Sequence, residues 1–465
     1  MKSARFFLFT GFSLIGLSGC NAISRVSHAQ LSLPKEWRNA ADFPVVSPTK
    51  DLSRWWNQFE DPTLSTLLTS ALRDNPDMAA AAARIRESRA RRDAEKSLLF
   101  PSLNGSASTG SNTSWTAGGG QESQASSAAR LNASWEVDLF GKRRSSVEAA
   151  AAQLGATEEN FHSVQAALAS EIAVAYTTLR VNEAGLEVLL RTIKTREETN
   201  RLAHWRTQAG EADSLESSQA LSSLEQARAA VPSLEQSIAQ SQNLLALLAG
   251  QSPGSLDHLL SSGKKIIPNP SRSLAIRIPA DTLRQRPDVR VAGYQLLAAA
   301  ANTRAITAER FPSLNLSGSL GLNTLSAAKL FNPESTSAGI IAGLSGPIFD
   351  AGRIRSNINA QNAVEEQAYQ TYRSTVLTAL SEVEDSLIAC RRSTERLEIL
   401  EKATAAAREA AGLAQQRYEA GVTDILTVLD SQRSLLGLED SLFNIRANRA
   451  IAYIQLYKAL GGGWS

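Results

Sequence analysis

Cysteine, methionine and histidine are scarce: two cysteines (Cys20 and Cys390), two methionines (Met1 and Met78) and four histidines (His28, His162, His204 and His258) in 465 residues. Two cysteines give no disulfide framework. The histidines do not stand at metal-ligand spacing, and the thioether relay that copper or silver would need is missing. No HExxH, Walker A, GxSxG, CxxC or GxGxxG motif occurs. The many carboxylates share helical stretches with Arg and Lys, as solvated faces do. Nothing points to catalysis, so the sequence predicts no enzyme, no cofactor and no metal. The formal charge is only +2, and no basic run suggests nucleic acid. After the N-terminus no run of about 18 apolar residues occurs, which excludes a spanning helix.

What is present is a duplication at a fixed offset of 211 residues. Pro76-Asp77 returns as Pro287-Asp288, and Phe100-Pro101-Ser102-Leu103-Asn104 as Phe311-Pro312-Ser313-Leu314-Asn315. Gly141, Ser170-Glu171, Gly210 and Gly250 return as Gly352, Ser381-Glu382, Gly421 and Gly461. Solenoid repeats are several times shorter, so each copy is a structural half of a pseudo-symmetric molecule.

Each half reads alike: a short helix (64–98; 282–309) ending at Phe-Pro, a β-like stretch, a very long helix, a Gly turn and a returning helix. In 129–139, Ala129, Leu131, Ala133, Trp135, Val137 and Leu139 alternate with Arg130, Asn132, Ser134, Glu136 and Asp138. Leu314, Leu316, Leu320 and Leu322 alternate with Asn315, Ser317, Ser319 and Asn323. With loops at 112–127 and 324–337, this predicts one hairpin per half and four strands of about ten residues. That length suits a tilted membrane strand with one face to lipid. A soluble hairpin on a core gives the same alternation, so the pattern alone leaves both readings open. The long helices carry seven-residue spacing: Ile172, Leu179, Leu186 and Ile193, with Leu168, Ala175 and Leu189 beside them, then Val376, Val383, Cys390 and Leu397. Cys390 takes the place of Leu179 as a small hydrophobe. Asp213 and Asp424 follow the Gly turns as helix caps, and Pro232 should kink the first returning helix.

The N-terminus reads as a secretion signal: Lys2 and Arg5, then apolar Phe6 to Leu17, then Leu17-Ser18-Gly19-Cys20. An ordinary cleaved signal is one reading. The lipobox reading makes Cys20 the lipidated mature N-terminus, with Asn21 behind it favouring outer-membrane sorting. Residues 21–60 read as an extended tethered leader with Pro34, Pro44 and Pro48.

Several motifs now combine: W-W-x-x-F-x-D-P-x-L at Trp55 to Leu64, N-P-D at Asn75, R-P-D at Arg286 and the two F-P-S sites. D-L-F-G-K follows at Asp138, F-D-A-G-R at Phe349, and R-Y-E-A-G-V at Arg417 leads into D-I-L-T-V-L-D-S-Q-R-S-L. Each is weak alone, but their order and spacing resemble the TolC-like outer-membrane efflux factors, in the OprM/NodT lipoprotein branch, over essentially the whole mature chain.

The resemblance implies a mainly α fold with a membrane β-barrel. It implies a homotrimer with a twelve-stranded barrel, four strands per chain, continued by a periplasmic α-helical coiled-coil barrel. The implied divisions are a lipoprotein signal 1–19, a lipid-anchored leader 20–60 and a first repeat 61–260 with strand hairpin 101–140 and helical hairpin 142–250. A linker 261–281 and a second repeat 282–465, with hairpins 312–349 and 352–461, complete the chain. The implied role is a passive, gated exit duct in the outer membrane of a Gram-negative bacterium. A periplasmic membrane-fusion adaptor would meet the tips at Gly210 and Gly421, and an inner-membrane RND-type pump would supply energy. Leu426, Asp430 and Arg433 share one helix face; the resemblance implies gate rings at Leu426 and Asp430, with Arg433 nearby. Tyr418 resembles a residue that ties neighbouring hairpins. A blander reading makes Asp430 a solvated residue paired with Arg433 at i+3. Two other function classes fit parts of the chain: an exit for type I protein secretion, and a lipid-anchored periplasmic coiled coil without a channel.

Overall fold

The computed structural model describes residues 34–40, 52–115, 118–119, 121–263, 265–270, 279–325 and 330–464. The signal region and Cys20 lie outside these residues. The short helix expected in each half is two helices: α1 (Pro62–Asp74) with α2 (Pro76–Ser97), and α6 (Pro279–Gln285) with α7 (Pro287–Thr307). The break falls where proline bars its predecessor from helical geometry, so Asn75 and Arg286 are extended. Strands β1 (Ser102–Trp115) and β2 (Gln121–Val137) follow, then the long α3 (Lys142–Gln208), α4 (Ser214–Leu248) and a short α5 (Asp257–Ser262). The second half adds β3 (Ser313–Thr324), β4 (Thr336–Ser345), α8 (Arg353–Glu419) and α9 (Ile425–Ala459). Helix α4 continues through Pro232. At 67 residues each, α3 and α8 reach about 100 Å.

The strands form one antiparallel sheet in the order β1-β2-β3-β4, so β2 and β3 join the two halves. The duplication holds in the register: Ser102 faces Ser134, and Ser313 faces Ser345. Directly opposed residues share a face. Leu103, Ala133, Gly318 and Ile340 therefore line one side with the rows of Leu131 and Trp135, while Asn104, Asn132, Ser319 and Gly339 line the other. The alternation read in two strands thus extends across the sheet as one apolar and one polar face, with Ile341 an exception on the polar side. Three strands are longer than expected, at 14, 17 and 12 residues, and the fourth has the expected 10. The stretch 112–127, expected as loop, is mostly strand. Hydroxyl pairs hold this polar part, Thr109 to Ser127 at 3.1 Å and Thr113 to Ser123 at 2.9 Å.

Helix α3 packs against α2, α4, α7 and α9, and α8 against α7 and α9. Ile172, Leu179, Val383 and Cys390 are all buried in one central core. A buried leucine or isoleucine contributes about 1.5–3 kcal/mol, so the seam is a large share of stability. Leu186 and Ile193 are only half-buried, so the seven-residue spacing loosens toward the turn. The end of the leader is not extended. Trp55, Trp56 and Phe59 form a buried 3-10 turn, and Trp55 stacks on Tyr457 at 5.4 Å. Asp61 caps α1 and accepts a 2.8 Å bond from the Tyr176 hydroxyl.

One joint is built twice. The Asn75 side chain donates to the Leu248 carbonyl at 2.8 Å, and Arg286 Nη1 to the Ala459 carbonyl at 3.0 Å. Both close the end of a returning helix, and donor and acceptor are each displaced by the same 211 positions. Arg286 is also paired with Asp288 at 2.7 Å and Glu382 at 2.6 Å.

Candidate functional site: the hairpin tips

Each long helix ends in the same backbone device. Gly210 and Gly421 take φ of +74° and +73°, where a side chain would be strained. The following amides, Glu211 N and Val422 N, reach back to the Arg206 and Arg417 carbonyls at 2.9 and 2.8 Å. Asp213 and Asp424 then cap α4 and α9. Asp424 also receives the Thr427 hydroxyl at 2.6 Å, and these Thr427 bonds hold its carboxyl below the ordinary aspartate value.

The two tips of one chain are fastened together by a small core of Ala203, Ala220, Ala414, Tyr418, Ile425 and Val428. Tyr418 is fully buried. Arg206, from the other hairpin, lies over its ring at 4.8 Å and donates to its carbonyl at 3.2 Å. Burial pushes the Tyr418 phenol up to about 12, and the Glu216 carboxylate beside it adds to the shift. Tyr418 thus ties the two hairpins of one protomer, through Arg206. Above this core lies a polar layer: Thr199 contacts Gln415 at 3.2 Å and Gln432 at 3.3 Å, and Arg196 donates to the Ser223 carbonyl at 2.7 Å. Burial and the neighbouring Arg433 lower the Arg196 pKa.

Leu426, Asp430 and Arg433 lie together on the exposed face of α9, and Leu426 is 54% exposed. No ion pair forms between Asp430 and Arg433 among the described residues. The pairing that the blander reading requires is therefore missing, and both charges are presented outward. A groove of about 610 Å³ runs between the tips, lined by Arg206, Leu215, Glu216, Val422, Asp424 and Leu426. Arg206, Arg196, Thr199 and Gln432 were not singled out in the sequence. Arg206 could have been, because Arg417 repeats it at the fixed offset.

A sheet with one apolar and one polar face, joined to paired helices of this length, has the build of an outer-membrane channel subunit. The profile of the outer membrane efflux protein family matches residues 67–251 and 278–462, two spans displaced by the same 211 positions. The chain belongs to the outer membrane efflux protein family and is an outer-membrane efflux channel protein. It is 32% identical over 462 residues to the solvent efflux pump outer membrane protein SrpC of Pseudomonas putida, covering 98% of this chain and 97% of that one. It is 31% identical over 461 residues to the pyoverdine export outer membrane protein OpmQ of Pseudomonas aeruginosa, covering 96% and 95%. The solved outer-membrane channel OprN superposes with a TM-score of 0.87 at 30% identity, covering 92% of this chain and 96% of that one.

Proposed function

We propose that three copies close into a twelve-stranded barrel continued by a periplasmic tunnel, a passive, non-enzymatic duct for small molecules driven by an inner-membrane pump. The observation that carries this is the four-stranded sheet with β1 and β4 left as free edges. Lipid does not tolerate an open edge, and four strands are half the smallest natural barrel. Closure therefore needs other copies, and the family supplies the number three. The duplicated units 61–260 and 282–465 each give one strand hairpin and one helical hairpin.

The tips at Gly210 and Gly421 meet the adaptor of an RND-type system. The named relatives are a solvent efflux and a pyoverdine export protein, which favours a small-molecule cargo over a secreted protein. Leu426 and Asp430 form the constriction, with Arg433 behind them and Tyr418 holding the hairpins. Three Asp430 carboxylates brought together repel one another and attract cations. Cys20 carries lipid and adds a second attachment to the membrane.

The test is purification of the full chain in detergent, with native mass measurement and planar-bilayer recording. A trimer with lipid mass on Cys20 and discrete cation-favouring conductance is expected. A monomer without conductance would leave the coiled-coil spacer as the function, and an unmodified Cys20 would remove the anchor.

A further inference from the structure

The sheet has one seam between the two halves, β2 with β3. The two strand hairpins pair in the same register once the 211-residue offset is applied. A second copy that sets its β1 beside β4 therefore repeats the β2–β3 seam, with each residue moved by that offset. Ala133 opposite Gly318 becomes Leu344 opposite Ala107 of the next copy. Val137 opposite Leu314 becomes Ile348, fully exposed in one chain, opposite Leu103 of the next copy.

One pair decides the register. Inside the chain Gly321 stands opposite Arg130, and a Cβ at 321 would lie 3.2 Å from Arg130 Cγ. The glycine leaves room for a large neighbour. Its counterpart on β1 is again a glycine, Gly110, where a Cβ would meet nothing within 4 Å. Among the described residues nothing calls for a glycine there. Under the offset, Gly110 of the next copy comes opposite Ile341, the counterpart of Arg130. A large side chain over a glycine is thereby rebuilt, and Ile341, the apolar exception in the polar row, gains a partner. Other registers fail. A slip of one residue sets Leu344 opposite Ser106 or Ser108, in the polar row of β1. A slip of two keeps the faces but puts Ser108 or Asn112 under Ile341 in place of the glycine.

We infer that neighbouring copies of this chain pair β4 with β1 in that register, with Ile341 of one copy seated over Gly110 of the next. This rests on the barrel reading above and adds to it which residues meet at the seam between copies.

Ser345 comes opposite Ser106 of the next copy, as Ser134 comes opposite Ser317 within the chain. Within one chain β1 and β4 lie three strand spacings apart, about 14 Å, too far for a disulfide. The full chain carrying Ser106→Cys with Ser345→Cys is oxidised in isolated membranes and run on a denaturing gel. Cross-linked dimers and trimers are expected, and each single substitution should give neither. Replacing Ser106→Cys by Asn104→Cys or Ser108→Cys should lower the cross-linked yield about tenfold, because the sulfurs are then out of bonding range. Native mass measurement of the unoxidised samples reads the copy number separately. A trimer that cross-links best through position 104 or 108 keeps the barrel and overturns the register, whereas a monomer overturns both. A second variant tests the glycine. Gly110→Phe should lower the temperature at which the trimer falls apart, and Ile341→Gly in the same chain should restore it. A Gly110→Phe trimer as heat-resistant as the parent, or one that Ile341→Gly does not rescue, refutes the contact.

Discussion

The tip at Ala209–Asp213 and the tip at Ala420–Asp424 close with the same glycine geometry, the same backward amide bond and the same capping aspartate. Their side chains part company on the faces beyond. Leu215 and Leu426 correspond and are both exposed, but Gln219 stands opposite Asp430, Ser222 opposite Arg433, and Thr207 opposite Tyr418. After duplication, positions that set backbone geometry stayed fixed, and side-chain positions beyond the turn diverged. The β-to-α junctions repeat the lesson, with Asp138 exchanged for Phe349 beside a retained arginine. Charge placed in one half only becomes, in a trimer, a ring of three rather than six.

The largest difference between the halves should appear at the duplicated joint. Arg286 is buried and holds two carboxylates and a helix end, while Asn75 is neutral. Arg286→Ala should cost about 3 kcal/mol, against about 1 kcal/mol for Asn75→Ala, read as a drop in the denaturation midpoint of the reconstituted protein. Equal losses would show that the ion pairs contribute nothing beyond the helix cap.

Acid should sharpen the same contrast. Burial alone would raise Asp288, but the Arg286 guanidinium outweighs it and holds the carboxyl below its ordinary value. A depressed folded pKa adds stability that is present above the unfolded aspartate value of about 4. That stability is lost as pH falls through the folded value. Below about pH 4, hydrogen exchange should therefore quicken at the end of α9 before it does at the end of α4. The reverse order would contradict the assignment.

A smaller effect separates the caps. Asp424 binds both the amide and the hydroxyl of Thr427, at 3.0 and 2.6 Å, while Asp213 reaches Leu215 N at only 3.4 Å. Asp424→Ala should speed amide exchange in the first turn of α9 several-fold. Asp213→Ala should change α4 less.

Much of this architecture was legible because the repeat kept its offset. Both long helices, both Gly turns and the capping aspartates could be placed from spacing alone. The break before Pro76 and Pro287 was missed because the apolar content continues across it, although proline chemistry announces it. The strand tips at 112–115 and 121–127 were read as loop because Ser, Thr and Asn occupy both faces there. Without an apolar face the period of two disappears, although the backbone ladder continues. Trp55 and Trp56 were assigned to an extended leader, since nothing local says that they enter a core built with Tyr176 and Tyr457. The proposed gate face rests on resemblance to a family alone. Its supports, Arg206 under Tyr418 and the Thr199–Gln432 layer, join residues more than two hundred positions apart, and no periodicity within one helix reveals them.

The most direct test of the claim that the second hairpin alone carries the gate compares Asp430→Ala with Gln219→Ala, its counterpart in the first hairpin, in planar bilayers. Asp430→Ala should raise basal conductance several-fold and weaken block by multivalent cations, while Gln219→Ala behaves as the parent channel. Equal effects from both substitutions, or none from Asp430→Ala, would contradict it.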